Sequence, residues 1–584
     1  MKIYNLIASS ALAVTVLFSA CTDDFDELNV NPNGATPENM APAGVLASNM
    51  RKAFHEDRYE FWRGVVLHAE RFSGQTAAGY NGNWWSPGDS YTYNEGWTSA
   101  TWESYNTKSN NGYGGALFAN SKLVLEFLKS NPDYTNAKEF EGIAKTIQAF
   151  QFLKLTDLFG DIPYSQHSDV ENYPSPKFDK QKDVYAGLEL VLRDVVENLL
   201  NNDTSIALMA DSDLLYGGSV KQWQKFANAL RLRMAMRQST VDANTASSIL
   251  AEVVKFPLPE NNADNAGISR TTSTTDLQNQ YWGFFSTWKG FNGEISYSWD
   301  SYNMTWGPGP GAFLPAYDII EYMKGSNLYE GEVNAAGNLT TNINPLVGIS
   351  DPRIDKFFMA PGGDAANAHK GMRPRELYVL DGGSIVSKNS HAVEGNALNY
   401  SWMHPSIWYD GGDWNPVSLD YAEVCLSLAE AVERNLVTYK QSSSDWLEAG
   451  LNASCERWGA TNGSFSSDVV TRFNASTASD KLEILYVEKW ISAYTVPHQA
   501  YASLRRTGSP RLSYLTKDLV LVGSYTEPDG SVTPNKQLNK YAKGSTDYAL
   551  PASMRIPESE VSVNPNVPEA SKDMSTKVWW AGGN

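Results

Sequence analysis

The stretch from Ala137 to Phe159 constrains the fold more than any other part of the sequence. Phe140, Ile143, Ala144, Ile147, Phe150 and Leu158 recur at steps of three and four, the spacing of one helix face, and Gly160 stands where a helix would stop. Pro163 then prevents its resumption. Such a helix must pack on others. Trp223, Phe226, Ala227, Leu230 and Met234 repeat the pattern within 219–238, and Tyr421, Val424, Leu428 and Val432 repeat it within 417–436. Candidate partner helices cover 115–130, 181–201, 443–458 and 479–506. The expectation is a mostly α fold in which helices stack in pairs, although no repeat of fixed period is present.

Between the helices lie long tracts rich in Gly, Asn and aromatic residues, at 73–114, 260–312, 337–416 and 507–565. Connections of this length in a compact protein usually carry function. Eight aromatic residues fall between Tyr80 and Tyr105, and ten between Tyr281 and Trp306. Trp84, Trp85, Trp288 and Trp299, in Gly/Asn/Ser-rich surroundings, are candidates for stacking on the C–H faces of sugar rings. Asn83, Tyr297 and Tyr302 complete the candidate ligand-binding set, supplying polar edges for hydroxyl groups. Trp402 and Trp408 are weaker candidates. Trp97, Trp102, Trp282, Phe284 and Phe285 are assigned to packing.

The start of the chain carries Lys2, an apolar run from Leu6 to Phe18, and Ser19-Ala20-Cys21. This pattern resembles the signal peptide and lipobox of bacterial lipoproteins, with residues 1–20 removed and Cys21 lipidated. The acidic cluster Asp23-Asp24-Phe25-Asp26-Glu27 resembles the surface-export signal of Bacteroidetes lipoproteins and favours the outer face of the outer membrane. Residues 21–40 are then a lipidated N-terminus and linker. Asn29 to Gly34 has the look of a calcium loop, but Met40 stands where the closing Glu is needed, so the segment reads as a turn-rich linker. No later run reaches the roughly 18 apolar residues that a membrane-spanning helix requires.

The formal net charge of -19 and the lack of a basic run exclude nucleic acid as an expected partner. Cys425 and Cys455 make no disulfide framework; two buried thiols are expected, with a single bridge as the alternative. Catalytic signatures fail one by one. His55-Glu56 lacks a second His one turn on, no Gly-x-Ser-x-Gly elbow occurs, and no Gly-rich loop ends in Gly-Lys-Ser/Thr. The seven His residues show no ligand spacing, and His68 reads as a structural hydrogen-bonder. Asp410 and Asp413, beside Tyr409 and Trp414, form the one acidic pair that a glycosidase reading would use. No catalytic residue, metal ligand or cofactor is expected.

Several motifs in order carry a family resemblance. Ala149 to Tyr164 contains a helix closing on Phe159-Gly160-Asp161-Ile162-Pro163; Trp223 to Arg233, Tyr421 to Val424 with Ala429-Glu430-Ala431, Glu488-Lys489-Trp490, Leu504 to Pro510 and Arg555-Ile556-Pro557 follow. Together they resemble the SusD/RagB family of outer-membrane nutrient-binding lipoproteins across nearly the whole mature chain. The charges in these motifs are expected to cap and pair helices rather than to touch ligand. The resemblance implies a SusD-like fold with four tetratricopeptide-like helix pairs and a loop-rich ligand region. It also implies a SusC-like TonB-dependent transporter as partner. Residues 41–584 would form one SusD-like domain, with the scaffold mainly in 41–256 and 417–506 and the binding loops mainly in 73–114 and 260–416. The expected function is noncatalytic capture of oligosaccharide for uptake. Oligopeptide cargo is the alternative, and a surface glycosidase or peptidase is the reading from another class.

Overall fold

Ala137–Phe159 is one unbroken helix, buried on nearly every side. The computed structural model describes residues 40–55, 61–78, 99–106, 117–169, 171–268, 313–329, 342–371, 376–379, 385–388, 400–408, 416–513, 520–521, 525–526, 532–533, 536–538 and 550–583. Cys21 and the leader, the Asn29 to Gly34 segment, and Asp410 and Asp413 lie outside them.

In chain order the main helices are α1 (Pro42–Phe54), α2 (Leu117–Ser130), α3 (Ala137–Phe159), α4 (Gln181–Asp194), α5 (Val220–Gln238) and α6 (Ala243–Val253). After the long middle section come α7 (Tyr421–Glu433), α8 (Ser443–Arg457), α9 (Phe465–Ala475), α10 (Ala478–Ser492) and α11 (Pro497–Thr507). Each helix packs on its sequence neighbour in the runs α1 to α6 and α7 to α11, with α5 against α7 joining the two groups. Helix α11 returns to pack on α3, a second contact between the two groups.

Local sequence explains where these helices begin and end. The side chains of Ser219 and Asp420 accept hydrogen bonds from the backbone N–H of Gln222 and Glu423, capping α5 and α7. Ser442 and Asp445 form a reciprocal capping box on α8. Gly160 ends α3 with φ of 79° and donates its N–H to the Thr156 carbonyl, a conformation that favours glycine. The span 479–506, expected as one helix, divides into α10 and α11 because Pro497 starts a new helix and disfavours helical geometry in the residue before it.

The apolar face anticipated in α3 is core. Phe140, Ile143, Ala144 and Ile147 have no solvent exposure, and Phe150 stacks on Phe54 of α1 at 4.7 Å between centroids. Each large apolar side chain buried this way contributes about 1.5–3 kcal/mol. Trp102 is buried against Phe159, in keeping with a packing role. Trp402 is 2% exposed, so this weaker ligand candidate is a buried residue instead. Cys425 and Cys455 are free, buried thiols.

The long tracts contain short strands that helical periodicity did not reveal. β1 (Thr76–Ala78) pairs antiparallel with β3 (Phe313–Pro315), β2 (Ala266–Gly267) with β8 (Val417–Leu419), and β4 (Phe358–Met359) with β7 (Trp402–Met403). β5 (Glu376–Val379), β6 (Ile385–Lys388), β9 (Val520–Leu521) and β12 (Lys536–Leu538) form one antiparallel sheet in the order β6-β5-β12-β9. The third and fourth tracts therefore share a sheet. β10 (Tyr525–Thr526) and β11 (Val532–Thr533) make a separate small ladder.

Candidate ligand-binding region

The ladders fasten the roots of the aromatic tracts to the helical frame. Ala78, where the first tract leaves the described residues, lies opposite Phe313, where the second returns. The Gln75 carbonyl accepts from the Ala316 N–H at 2.9 Å, extending this ladder. Beneath it, the Trp490 indole N–H donates to the Ser73 carbonyl at 2.7 Å, and the Gln75 side-chain amide donates to the Trp490 carbonyl at 2.6 Å. These two reciprocal bonds attach the strand to fully buried Trp490 in α10.

The third tract is rooted in the same place. The Ser401 N–H donates to the Lys370 carbonyl at 2.8 Å, bringing the two ends of 372–399 side by side. Gly371 fits against the backbone of Ala316 and Tyr317 so closely that a Cβ there would lie 2.5 Å from the Ala316 carbonyl oxygen. His369 braces this root, with Nε2 at 2.8 Å from Asp355 Oδ1 and Nδ1 at 3.0 Å from the Ser401 hydroxyl. A second fastening lies at β2–β8, where the Tyr421 N–H donates to Asn265 Oδ1 at 2.8 Å. This ladder sets the start of 269–312 beside the end of 409–415.

Asn83, Trp84, Trp85, Trp288, Tyr297, Trp299 and Tyr302 all lie outside the described residues, as do Trp97, Trp282, Phe284 and Phe285; of Trp408 only the backbone is described. Sequence reading missed the fastening residues themselves. Only Gly371 carried a local signal, and many glycines in these tracts share it.

The charges of the sequence motifs hold the frame. Arg353, without solvent exposure, donates to both oxygens of Asp351, to Glu488 Oε2 at 2.6 Å, and to the hydroxyls of Ser454 and Ser492 at 2.9 and 3.0 Å. This arginine joins α8 to α10. Glu430 of α7 receives Arg506 at 2.7 Å on both oxygens, Lys489 at 3.0 Å and Arg434 at 2.9 Å. Burial pushes the Glu430 carboxyl up, but the surrounding cations, Arg506 and Lys489 foremost, outweigh it and hold the group well below the usual carboxylate range. Arg233 bonds both Glu423 oxygens at 2.7 Å, and Arg231 pairs with Glu189 at 2.7 Å. Arg505 donates to the Asp157 carbonyl at 2.6 Å. These groups cap and pair helices, as the motif reading anticipates.

The frame holds a partly open cavity of two lobes, about 90 and 40 Å³ in volume, which share Arg233, Val417, Ser418, Val496 and Gln499. A cavity of about 150 Å³ takes up a benzene ring, so neither lobe accommodates a pyranose.

A family model described as starch-binding and associating with the outer membrane matches residues 55–286 and 334–522. The chain belongs to the SusD-like family. Solved structures agree on the fold. A SusD homologue from Bacteroides uniformis is 23% identical over 93% of this chain and 100% of its own, with a TM-score of 0.66. A chitin-binding protein is 22% identical over 93% of this chain and 100% of its own, with a TM-score of 0.64. A chitin-binding SusD homologue from Flavobacterium johnsoniae is 18% identical over 93% and 99%, with a TM-score of 0.62. No curated protein matches the chain. The SusD-like assignment brings with it association with the outer membrane. Among the described residues, no helix is long and apolar enough to cross one.

Proposed function

We propose that this SusD-like protein binds nutrient oligosaccharides at the cell surface without altering them and delivers them to a SusC-like TonB-dependent transporter. The observation that supports the reading is the gathering of tract roots at Ala78, Phe313, Gly371 and Tyr400, which brings together the roots of three tracts, two of which carry the candidate aromatic residues. Trp84, Trp85, Trp288 and Trp299 stack on sugar faces in this reading, while Asn83, Tyr297 and Tyr302 meet hydroxyl groups. Shared fastening limits the conformational entropy lost when separate loops close on one ligand. The chitin-binding proteins of the same fold add weight to a glycan as cargo. Residues 1–20 are a cleaved signal, Cys21 carries the lipid, and residues 41–584 act as one domain facing the exterior.

Titration calorimetry against starch, chitin and other oligosaccharides, with a peptide digest alongside, tests the reading. Saturable glycan binding with unchanged glycan recovered after long incubation is the expected result. Binding of peptides with silence from every glycan would overturn it in favour of oligopeptide cargo. Hydrolysis lost on Asp410→Ala or Asp413→Ala would instead make the protein a glycosidase. Cys21→Ala is expected to release the protein from the membrane while leaving its affinity for glycan intact.

A further inference from the structure

The cavity in the frame has features that packing of the helices does not require. Thr495, in its wall, has φ of 68°, a left-handed conformation that is costly for a β-branched residue. Its hydroxyl oxygen is buried and has no hydrogen-bond partner among the described residues. The same lobe is bordered by Phe61 and Val65 of a π-helix (Phe61–Ala69), a form of helix found frequently at functional sites. The smaller lobe is lined by Arg237, which is 4% exposed and whose Nε–H is buried and without a partner among the described residues. Val496 and Gln499 line both lobes, and Gln499 accepts from Arg237 Nη2 at 2.6 Å.

Charge pairing around the cavity favours an anion. The acidic groups in its walls already have donors of their own. Glu423 takes both arms of Arg233, and Asp420 accepts from Arg457 at 2.9 Å and from the Glu423 N–H at 2.7 Å. Asp157 accepts from the Tyr185 hydroxyl and from the Trp580 indole at 3.0 Å, and stands 3.5 Å from Arg237 Nη2. Among the described residues, the Arg237 Nε–H and the Thr495 hydroxyl have donor capacity without a partner. The lining of the larger lobe also includes the apolar side chains of Ala53, Phe54, Val65, Phe150 and Leu153. Phosphate or sulfate has no apolar part to place there. A short carboxylic acid has both.

We propose that this cavity binds a small monocarboxylate, its carboxylate recognised by Arg237 and the Thr495 hydroxyl and its apolar end lodged against Phe54, Val65, Phe150 and Leu153. The volumes of the lobes limit the guest to a molecule smaller than a benzene ring, of the size of propionate. The site lies within the helical frame and borders the β2–β8 root through Pro416, Val417, Ser418 and Leu419. The strain at Thr495 then has a role, since it holds the hydroxyl in the cavity wall.

Calorimetry and thermal melting of the full chain with propionate test this, with propionamide and chloride as controls. One saturable propionate site per chain is expected, with propionamide and chloride each at least about tenfold weaker, because neither combines a carboxylate with an apolar end. Thr495→Gly separates binding from folding. Glycine accepts the left-handed conformation, so the melting temperature of the free variant should hold or rise while propionate affinity falls about tenfold. Ala53→Leu, which fills the apolar lobe, should also remove binding. No saturable propionate binding, equal binding of propionamide or chloride, or full propionate affinity in either variant would overturn the proposal.

Discussion

The helical frame and the tract roots are held by different kinds of bond. In the frame, side chains distant in sequence meet as buried ions: Arg353 reaches Glu488, and Arg506 and Lys489 converge on Glu430. At the roots, short stretches of main chain pair across β1–β3, β2–β8 and β4–β7. A buried ion left without its partner is costly, whereas a main-chain ladder tolerates change in most of its side chains. The contrast teaches that the frame depends on its ion partners residue by residue, while the roots depend on backbone pairing braced by a few side chains, Gln75, Asn265, His369 and Trp490.

The largest effect should come from breaking the frame. Arg353→Ala strands the Asp351 and Glu488 carboxylates, and a loss of about 3–5 kcal/mol of stability is expected in chemical denaturation. Survival of the variant with native stability would remove the distinction between frame and roots. Acid should weaken the frame next. Burial holds His68 down to about 4, with Arg71 also lowering it, and His167 to about 4, with Lys122 adding to the effect. Between the ordinary histidine value of about 6.5 and about 4, the unfolded chain takes up protons that the native chain refuses. Stability therefore falls as pH drops through that window, by as much as about 3 kcal/mol for each group. His167→Gln should flatten the slope of denaturation midpoint against pH; an unchanged slope would show that this ring does not govern it.

Gly371→Ala probes the roots directly. A methyl group 2.5 Å from the Ala316 carbonyl oxygen forces the backbone apart, and a cost of about 1–3 kcal/mol is expected, together with weakened glycan binding. Loss of stability with full glycan affinity would separate this root from the ligand region. The smallest stability effect belongs to Trp84→Ala and Trp299→Ala. Each should change stability by no more than about 0.5 kcal/mol while weakening glycan binding by about 1–3 kcal/mol. If denaturation measurements instead show a large loss of stability, these rings are packing residues.

The frame was the legible part because long helices write a period into the sequence. Phe140, Ile143, Ala144 and Ile147 announce α3, and all are buried in it. The same spacing of Ala246, Ile249, Leu250 and Val253 after the cap Asp242 marks α6, which went unread among stronger segments. Pro497 signalled the break between α10 and α11, but the apolar pattern on both sides concealed it. Two-residue strands such as Ala266–Gly267 are too short to show alternation, so the roots were invisible. The cavity had no sequence signature either, because Arg237 of α5 lines one lobe and Thr495, before α11, lines the other, and only packing makes the lobes neighbours.

The pairing of Thr76-Ala77-Ala78 with Phe313-Leu314-Pro315 also bears on how such a protein could be re-engineered. The ladder is made by backbone groups, and its companion bonds at Ser73 and Gln75 lie on the scaffold side of the junction. A foreign segment could thus replace the tract that leaves the ladder at Ala78, or the one that returns to it at Phe313, with its own side chains and still find the same socket waiting. The junction makes new specificities a matter of exchanging inserts on a retained chassis.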